Sequence, residues 1–285
     1  MKSSNWAANL LLKSFNLLSS LVFPGKLVFA IKTPWKHAPQ YYYRQTNSTM
    51  TAARRLMKTG PVAHGTLIFA EYQTAGYGRT RGSSWESKKG LNLLFNVILN
   101  ERNIREKINQ LPILCGLSVA RTVEKECGLS CEIKWPNDVM AGGNKIAGCL
   151  CEVSKGWGSV GIGITCNQVS GLPEAELPVS SIRLLTGKKV DRRNLLQETL
   201  VNFSRSLNLD NWWSEVNQNL FALNVEVELL NRANNLPRRG VIKGVNSEGG
   251  LLIKDQNGVL SVSFSGSIRL IEGSLRGSVD VQSEN

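Results

Sequence analysis

Apolar residues follow two distinct periodicities from about residue 39 onward. Unbroken apolar runs predict strands buried on both faces, and apolar residues three or four apart predict helices that bury one face. The strands predicted in this way cover 41–43, 66–72, 91–99, 131–135, 145–153 and 159–166. Helices are predicted from Ser48 or Thr49 to Gly60, and over 111–126, about 191–208 and 212–221. This mixture predicts an α+β domain over residues 39–221.

The spacing of the apolar runs changes after Ala222. Five short strands are predicted at 225–230, 239–245, 251–254, 260–264 and 268–271, with the turn sequences SEGG and QNG between them. Short strands at this density, five in about fifty residues, are typical of a small barrel. We therefore predict four parts of the chain: an extension over 1–38, the α+β domain, a small β domain over 222–273 and a tail over 274–285.

The 285 residues carry a formal charge of +12, which by itself favours a nucleic-acid or membrane-surface partner. Six Lys and three Arg precede Glu71, the first acidic residue, and the rest of the chain contributes only +3. With 42% hydrophobic and 20% charged residues, the composition excludes a disordered, collagen-like or coiled-coil chain. The positive charge is thus concentrated in the N-terminal stretch, and basic and acidic residues nearly balance in the rest of the chain.

Residues 7–31 form the most apolar N-terminal stretch, but Lys13, Pro24 and Lys26 interrupt it. No apolar run approaches the roughly 18 residues of a membrane span, so no transmembrane segment is predicted. A helical apolar stripe consists of Leu11, Phe15, Leu18 and Val22. An amphipathic segment without acidic residues is typical of an organelle transit peptide. The alternative is an extension that is poorly ordered or loosely docked.

The six cysteines all lie between residues 115 and 166. His37 and His64 are far upstream, so a zinc site on this cysteine spacing would lack a nearby histidine ligand. Buried, reduced thiols are favoured over structural zinc, and they indicate a reducing compartment. We predict a cytoplasmic protein. The alternative is a protein of an organelle, if the N-terminal extension is a targeting signal.

Two clusters of residues suggest chemistry. In the first, Gly76, Gly78 and Gly82 alternate with Arg79 and Arg81 in a loop that leaves a buried strand. Glycines let a backbone approach a ligand, and arginines neutralise phosphate or carboxylate oxygens. The loop fits neither the dinucleotide nor the P-loop fingerprint, and a glycine-rich surface turn is the alternative.

The second cluster is KWPND, residues 134–138, followed by Gly142-Gly143 and an apolar strand that opens with Lys145. An ammonium buried at the mouth of a strand needs an anion as its partner. The alternative is a lysine that extends to solvent from the end of the strand.

Four ordered motifs together resemble the biotin protein ligases. They are AEYQTAGYGR (70–79), KWPNDV (134–139), KIAGCLCEV (145–153) and GIGITCN (161–167), followed by the small β domain. The resemblance implies a mixed sheet related to class II aminoacyl-tRNA synthetases, followed by an SH3-like barrel. It also implies that biotin and ATP form biotinyl-5′-AMP, with Mg²⁺ accompanying ATP, and that the biotinyl group passes to a lysine of a biotin carboxyl carrier domain.

The resemblance also implies residue roles. Ser48 and Thr49 would hold the ureido ring of biotin with Gln73 beside them, and Lys145 would meet the biotin carboxylate and then the α-phosphate. The predicted biotin-binding residues are Ser48, Thr49, Met50, Gln73, Tyr77, Gly78, Arg79 and Lys145. The predicted nucleotide-binding residues are Gly76, Arg79, Asn137 and Asn167. The predicted catalytic residues are Arg79, Lys134, Lys145 and Asp138, and no metal site made of protein ligands alone is predicted.

These cations suit the implied chemistry. A carboxylate is already ionised at pH 7, so its attack on a phosphate needs cations and Mg²⁺ rather than a general base. The acceptor lysine must then lose a proton from an ammonium of pKa about 10.4. Asp138 is the nearest carboxylate in the motifs that could accept this proton. The alternative is that Asp138 has a structural role and caps the turn after Pro136.

The chain departs from the family pattern at three positions. Tyr77 stands where an arginine is usual, and Met50 and Thr165 stand where asparagines are common; the spacing from Arg79 to Trp85 is one residue longer. Because of these departures, a catalytically weakened biotin-binding regulator remains an alternative to an active ligase. Lipoate or octanoate transfer is a further alternative, since it uses a similar fold and a similar target lysine.

Specific DNA binding is not expected. Ligases that also act as repressors carry an N-terminal winged helix of roughly sixty residues, and only about 38 precede the predicted catalytic domain, with no helix-turn-helix pattern. The expected partner is the carrier domain of a biotin-dependent carboxylase such as acetyl-CoA carboxylase. A homodimer is left open by the sequence.

Overall fold

The computed structural model describes residues 25–28, 31–60, 62–80, 82–230 and 237–271. One mixed sheet is built from β1 (Lys26–Val28), β2 (Gln40–Tyr43), β3 (Thr66–Ala70), β4 (Leu93–Asn100), β5 (Glu132–Lys134), β6 (Asp138–Ala141), β7 (Asn144–Ser154) and β8 (Trp157–Ile164). Its spatial order is β1-β2-β3-β4-β8-β7-β6-β5. β2 and β3 run parallel, and the other neighbouring pairs run antiparallel.

Helices cover both faces of this sheet. The described α-helices are α1 (Thr49–Thr59), α2 (Leu111–Cys127), α3 (Ile182–Thr186), α4 (Arg192–Ser206) and α5 (Trp212–Gln218), and 3₁₀ turns cover Glu101–Asn103 and Arg105–Gln110. Successive residues of a strand point to opposite faces of a sheet. Leu67 packs into the larger core with α2 and α4, whereas its neighbour Ile68 packs with α1. Thus α1 covers one face, and α2 with α4 covers the other.

The face under α1 carries glycines at the centre of the sheet. Gly148 of β7 lies directly opposite Gly163 of β8. A Cβ atom at Gly163 would lie 2.4 Å from the Trp85 ring, and one at Gly161 would lie 2.6 Å from the Met50 sulfur. Glycine within a strand often marks a place where another group approaches the backbone closely. These glycines make room for a cleft between the sheet, α1 and the loop that follows β3.

The C-terminal residues form a separate antiparallel sheet. It contains β9 (Glu226–Leu230), β10 (Pro237–Val245), β11 (Leu251–Lys254), β12 (Leu260–Ser263) and β13 (Ser267–Leu270), in the spatial order β12-β11-β10-β9-β13. The indole nitrogen of Trp135 donates a hydrogen bond to the Gly249 carbonyl at 3.0 Å. Gln110 Nε2 donates to the Ser247 carbonyl at 3.1 Å. The turn between β10 and β11 is therefore anchored to the residue after β5 and to the 3₁₀ turn that precedes α2.

The pattern of apolar residues predicts most of these elements correctly. The helix predicted from Ser48 or Thr49 to Gly60 is confirmed, with Ser48 as its N-cap, and so are the five C-terminal strands. β6 is not predicted, because it is only four residues long and begins at Asp138, the last residue of the KWPND motif. β1 is not predicted either, and Leu27 pairs with Tyr41, so the sheet begins before residue 39. The division of the chain into four parts stays a prediction.

Two further predictions concern the N-terminal stretch. The apolar stripe of Leu11, Phe15, Leu18 and Val22 lies outside the described residues. Among the helices that are described, none is both long and apolar enough to cross a membrane.

Candidate active site

A cavity of about 200 Å³ lies on the α1 face of the large sheet. Every predicted biotin-binding residue lines it, together with the predicted catalytic residues Lys134 and Asp138. The lining residues taken from the predictions are Ser48, Thr49, Met50, Gln73, Tyr77, Gly78, Arg79, Lys134, Asn137, Asp138 and Lys145. Residues from three segments far apart in sequence, 48–50, 73–79 and 134–145, therefore meet at one place.

The start of α1 forms one end of the cavity. The Ser48 side chain caps the helix and accepts a hydrogen bond from the Met50 amide at 3.2 Å. Gln73 Oε1 accepts hydrogen bonds from the Thr49 amide at 2.7 Å and from the Thr49 hydroxyl at 3.0 Å. Short polar groups on a fixed helix end can orient a small polar ring. The amide of Gln73 is itself held by Thr49, which fixes the geometry of this end.

Met50 stands where the resemblance stated above leads us to expect an asparagine. Its side chain is buried, and its sulfur accepts a hydrogen bond from Asn96 Nδ2 at 3.0 Å. The same sulfur lies close to Gly161, which also lines the cavity. The thioether therefore forms an apolar part of the wall and satisfies a polar group behind it.

The glycine- and arginine-containing loop forms a short hairpin at the cavity. The Gly78 amide donates to the Ser83 carbonyl at 3.0 Å, and the Trp85 amide donates to the Gly76 carbonyl at 2.9 Å. A Cβ atom on Gly76 would lie 2.5 Å from the Trp85 carbonyl oxygen, so only glycine fits there. Gly76 thus serves the hairpin and does not line the cavity, and its predicted nucleotide-binding role stays a prediction.

Three cationic side chains converge on the cavity. Arg79 donates from Nε to Asn137 Oδ1 at 3.2 Å and from Nη2 to Ser267 Oγ of β13 at 2.9 Å. Lys145 Nζ lies 2.8 Å from Asp138 Oδ1. Burial lowers the pKa of Lys134, and the neighbouring Asp138 carboxylate partly offsets this effect. Such a group of fixed cations can stabilise negative charge.

Asp138 and Asn137 support these cations directly. Asp138 lies beside Lys145. The anionic partner that we predicted for this lysine is therefore a residue of the KWPND motif. Asn137 donates from Nδ2 to the Cys149 carbonyl at 2.7 Å while its Oδ1 accepts from Arg79. Asn137 is therefore a fixed support for the arginine.

A second cavity, of about 390 Å³, adjoins the first. Lys145 and Trp85 line both, and the Lys145 ammonium lies 5.8 Å from the centre of the Trp85 ring. Thr165 lines the second cavity along with the segment 172–175 and Val179. A cation at the boundary of two adjoining cavities can contact ligands in both.

Asn167 lies apart from both cavities. Its Nδ2 donates to the Val190 carbonyl at 3.0 Å, and its Oδ1 accepts from the Val190 amide at 2.8 Å. The side chain is buried and holds the segment that leads into α4. A contact of Asn167 with a nucleotide stays a prediction that its hydrogen bonds do not favour.

Two cavity residues come from the C-terminal sheet and were not predicted. Ser267 and Ile268 of β13 line the first cavity, and Ser267 accepts the hydrogen bond from Arg79. Arg269 lies 2.9 Å from Glu176, next to the segment 172–175 of the second cavity. No sequence signal marks Ser267, whereas the alternating glycines of GIGI in β8 mark the floor of the cleft.

Comparisons with known proteins agree with this geometry. Residues 41–168 match the biotin/lipoate A/B protein ligase family. The bifunctional ligase/repressor BirA of Bacillus spizizenii is 30% identical over 87% of this chain and 80% of its own. The biotin--[acetyl-CoA-carboxylase] ligase of Paracoccus denitrificans is 28% identical over 75% of this chain and 93% of its own.

A solved structure, the biotin protein ligase from Aquifex aeolicus in complex with biotin and ATP, has the same fold. It superposes with a TM-score of 0.71 at 30% identity and covers 80% of this chain and 97% of that one. The resemblance that the four motifs indicated is thus confirmed by similarity over 75–87% of the chain. The chain therefore belongs to the biotin/lipoate A/B protein ligase family, and within it to the biotin protein ligases.

Proposed function

We propose that this protein is an ATP-dependent biotin protein ligase. It activates biotin as biotinyl-5′-AMP and transfers the biotinyl group to a lysine of a biotin carboxyl carrier domain in a biotin-dependent carboxylase. The observation that carries the proposal is the position of Lys145 between two adjoining cavities, with Arg79 and Lys134 beside it. Biotin occupies the smaller cavity, with its ureido ring at Ser48 and Thr49, and ATP occupies the cavity that contains Thr165.

The first half-reaction joins two anions. A carboxylate oxygen of biotin attacks the α-phosphorus of ATP, the bond from that phosphorus to the β-phosphate oxygen breaks, and pyrophosphate leaves. Lys145, Arg79 and Lys134 reduce the repulsion and stabilise the charge that develops on the phosphate oxygens. Mg²⁺ accompanies the phosphates of ATP. Among the described residues no three His, Cys, Asp or Glu side chains are grouped so that they could hold a metal ion.

The second half-reaction is an acyl transfer. The neutral amine of the carrier lysine attacks the carbonyl carbon of the adenylate, the carbon–oxygen bond to the phosphate breaks, and AMP leaves. Asp138, which lines the same cavity, orients the incoming ammonium and accepts its proton before the attack. Asp138→Asn is expected to slow transfer more than adenylate formation.

Several finer features belong to the same proposal. We propose that the five-stranded C-terminal sheet is an SH3-like barrel, since β9 pairs with both β10 and β13. All six cysteines are free thiols and four of them are buried, which supports a reducing compartment, the cytoplasm, or an organelle reached through the N-terminal extension. A homodimer is compatible with this function, and specific DNA binding is not part of it.

The decisive experiment combines the purified protein with biotin, ATP, Mg²⁺ and an apo carrier domain. Mass spectrometry of the carrier is expected to show one biotinyl adduct on its acceptor lysine. Parallel reactions contain lipoate or octanoate in place of biotin. Turnover with lipoate alone would support the lipoate ligase alternative, and adenylate formation without transfer would support a weakened biotin-binding regulator.

Adenylate formation is expected to depend on pH through Lys134. Because burial lowers the pKa of Lys134, this side chain loses its charge at a lower pH than an ordinary lysine. Lys134 is fully charged only well below this lowered pKa. The rate of adenylate formation should therefore fall as the pH rises through that value. Pyrophosphate exchange measures this step alone and avoids the titration of the acceptor lysine.

Lys134→Arg provides the control for this pH dependence. Arginine stays charged throughout the accessible range, so the alkaline decline should move to higher pH in the variant. An identical alkaline decline in both proteins would show that another group is responsible.

Arg79→Gly is expected to shorten the retention of biotinyl-5′-AMP by about 10- to 100-fold. The substitution removes charge-assisted hydrogen bonds to Asn137 and Ser267, each worth about 1.5–3 kcal/mol, and the cation beside the phosphate. Release of preformed, labelled adenylate measures the effect. Ser267→Ala removes one partner only and should give a smaller increase, whereas unchanged release in Arg79→Gly would contradict the placement of this loop.

A further inference from the structure

Three polar side chains meet at the outer rim of the smaller cavity. Arg54 Nη2 donates to the Tyr77 hydroxyl at 2.9 Å and to the two carboxylate oxygens of Glu152 at 2.9 and 3.1 Å. The Tyr77 hydroxyl lies 3.4 Å from Glu152 Oε1 and donates to it. We call this group the rim triad.

Each member reaches the rim from an element that also lines the cavity. Met50 and Arg54 are four residues apart on α1 and therefore share one face of the helix. Leu150 and Glu152 are two residues apart on β7 and share one face of the sheet. Met50, Leu150 and Tyr77 line the cavity, and Arg54 and Glu152 stand outside it. Tyr77 is thus the member of the triad that a ligand in the cavity would meet.

The triad has matched donors and acceptors. The Tyr77 oxygen accepts from a guanidinium and donates to a carboxylate, and Glu152 accepts from both partners. Burial raises the pKa of Tyr77, and the Glu152 carboxylate raises it further, so the phenol remains neutral and keeps its proton for this bond. The Arg54 and Glu152 side chains are 46% and 33% exposed. An exposed ion pair stabilises a fold only slightly, so this pair is more important for what it holds than for stability.

Tyr77 transmits this anchoring to the hairpin that carries Arg79. Tyr77 pairs with Ser84 in the hairpin, and Gly78 bonds to Ser83. Arg79, two residues after Tyr77, is held on its other side by Ser267. One side of the loop is therefore fixed to α1 and β7, and the other is fixed to the C-terminal sheet.

We propose that Arg54 and Glu152 are positioning residues that hold Tyr77, and with it the Arg79 hairpin, against the smaller cavity and so set how long the acyl-adenylate is retained. This inference rests on the proposed function. The proposal also explains why a tyrosine can stand where the family resemblance leads us to expect an arginine. Arg54 of α1 supplies the cation, and Tyr77 of the loop contributes a neutral hydroxyl. Arg54 and Glu152 do not contact the reacting atoms.

The test measures release of preformed, labelled biotinyl-5′-AMP from the full chain. Tyr77→Phe, Arg54→Ala and Glu152→Gln are each expected to raise the release rate about 5- to 20-fold, because each removes or weakens two or three charge-assisted hydrogen bonds of the rim triad. The rate of adenylate formation at saturating biotin and ATP should change less than about threefold in Arg54→Ala. Arg55→Ala is the matched control, since it removes the same charge from the next position of α1, where Arg55 lies beside a different, polar pocket.

A double substitution separates the triad from a general loss of stability. If Arg54 acts through Tyr77, then Arg54→Ala should add less than about twofold to the release rate of Tyr77→Phe. Fully multiplicative effects of the two substitutions would overturn the proposal. So would unchanged release in all three single variants, or an increase in Arg55→Ala as large as that in Arg54→Ala.

A second readout keeps the proposal testable if the proposed function fails. If the wild-type protein forms no adenylate from biotin and ATP, the proposed function is wrong. Hydrogen exchange of the peptide that contains residues 76–80 then tests the triad in the protein without ligand. Faster exchange in Tyr77→Phe and Arg54→Ala than in Arg55→Ala supports the anchoring, and equal exchange in all of them overturns it.

Discussion

Lys145→Ala is expected to slow the formation of biotinyl-5′-AMP by about 100- to 1,000-fold. The lysine lines both cavities, so its ammonium is placed to contact the carboxylate of biotin and the α-phosphate of ATP. Its removal also leaves Asp138 without the cation that lies 2.8 Å away. A partly buried, unpaired carboxylate then repels both substrates. Biotin-dependent pyrophosphate exchange measures this step alone.

Three further variants separate the causes of this loss. Lys188→Ala removes an exposed lysine outside both cavities and should leave the rate within about twofold. Lys145→Arg keeps the charge but changes its geometry, and it should recover part of the rate. Adding Asp138→Asn to Lys145→Ala should restore substrate binding without restoring the rate. A near-normal rate in Lys145→Ala would remove the mechanistic role proposed for this residue.

Gly163→Val is expected to weaken biotin binding by about 100-fold or more while the protein still folds. Even a single Cβ atom at this position would lie 2.4 Å from the Trp85 ring, a separation that real Cβ atoms do not show. Trp85 would have to leave its place between the two cavities, which would disrupt the wall of the cavity that we propose for biotin. Valine suits a strand, so the loss should appear in binding rather than in folding.

Calorimetric titration with biotin measures the effect, and circular dichroism checks the fold. Gly116→Ala is the matched control, because a Cβ atom there meets Ile133 at an ordinary 3.5 Å on the opposite side of the sheet. Biotin affinity should be unchanged in that variant. Normal affinity in Gly163→Val would mean that biotin does not lie along this strand.

The candidate site was largely predictable because its residues occur in short, ordered motifs. Lys134, Asp138 and Lys145 belong to one pair of adjacent hairpins, so local strand pairing brings them together. Their chemistry follows from residue type, since clustered cations stabilise the negative charge that develops when two anions react. The net charge of +12 was less informative than the position of these few residues.

The contacts that complete the site were not predictable in this way. Arg79 bonds to Ser267, which is 188 positions away, and Arg54 bonds to Glu152, which is 98 positions away. Serine, arginine and glutamate at exposed strand ends and helix faces occur in every globular protein, so residue type alone does not single them out. Trp85 likewise gains its role between the cavities only because two glycines lie opposite it.

The sequence by itself determined most of the strands and helices in their order, the family and the cations of the candidate site. Apolar periodicity and motif spacing are local properties, because each can be recognised within a segment of a few tens of residues. The tertiary structure decided that β1 joins the sheet, that Asn167 holds Val190, and that β13 meets the Arg79 hairpin. Those outcomes depend on which surfaces pack together when the whole core forms, and such long-range packing leaves no pattern in any short stretch of the chain.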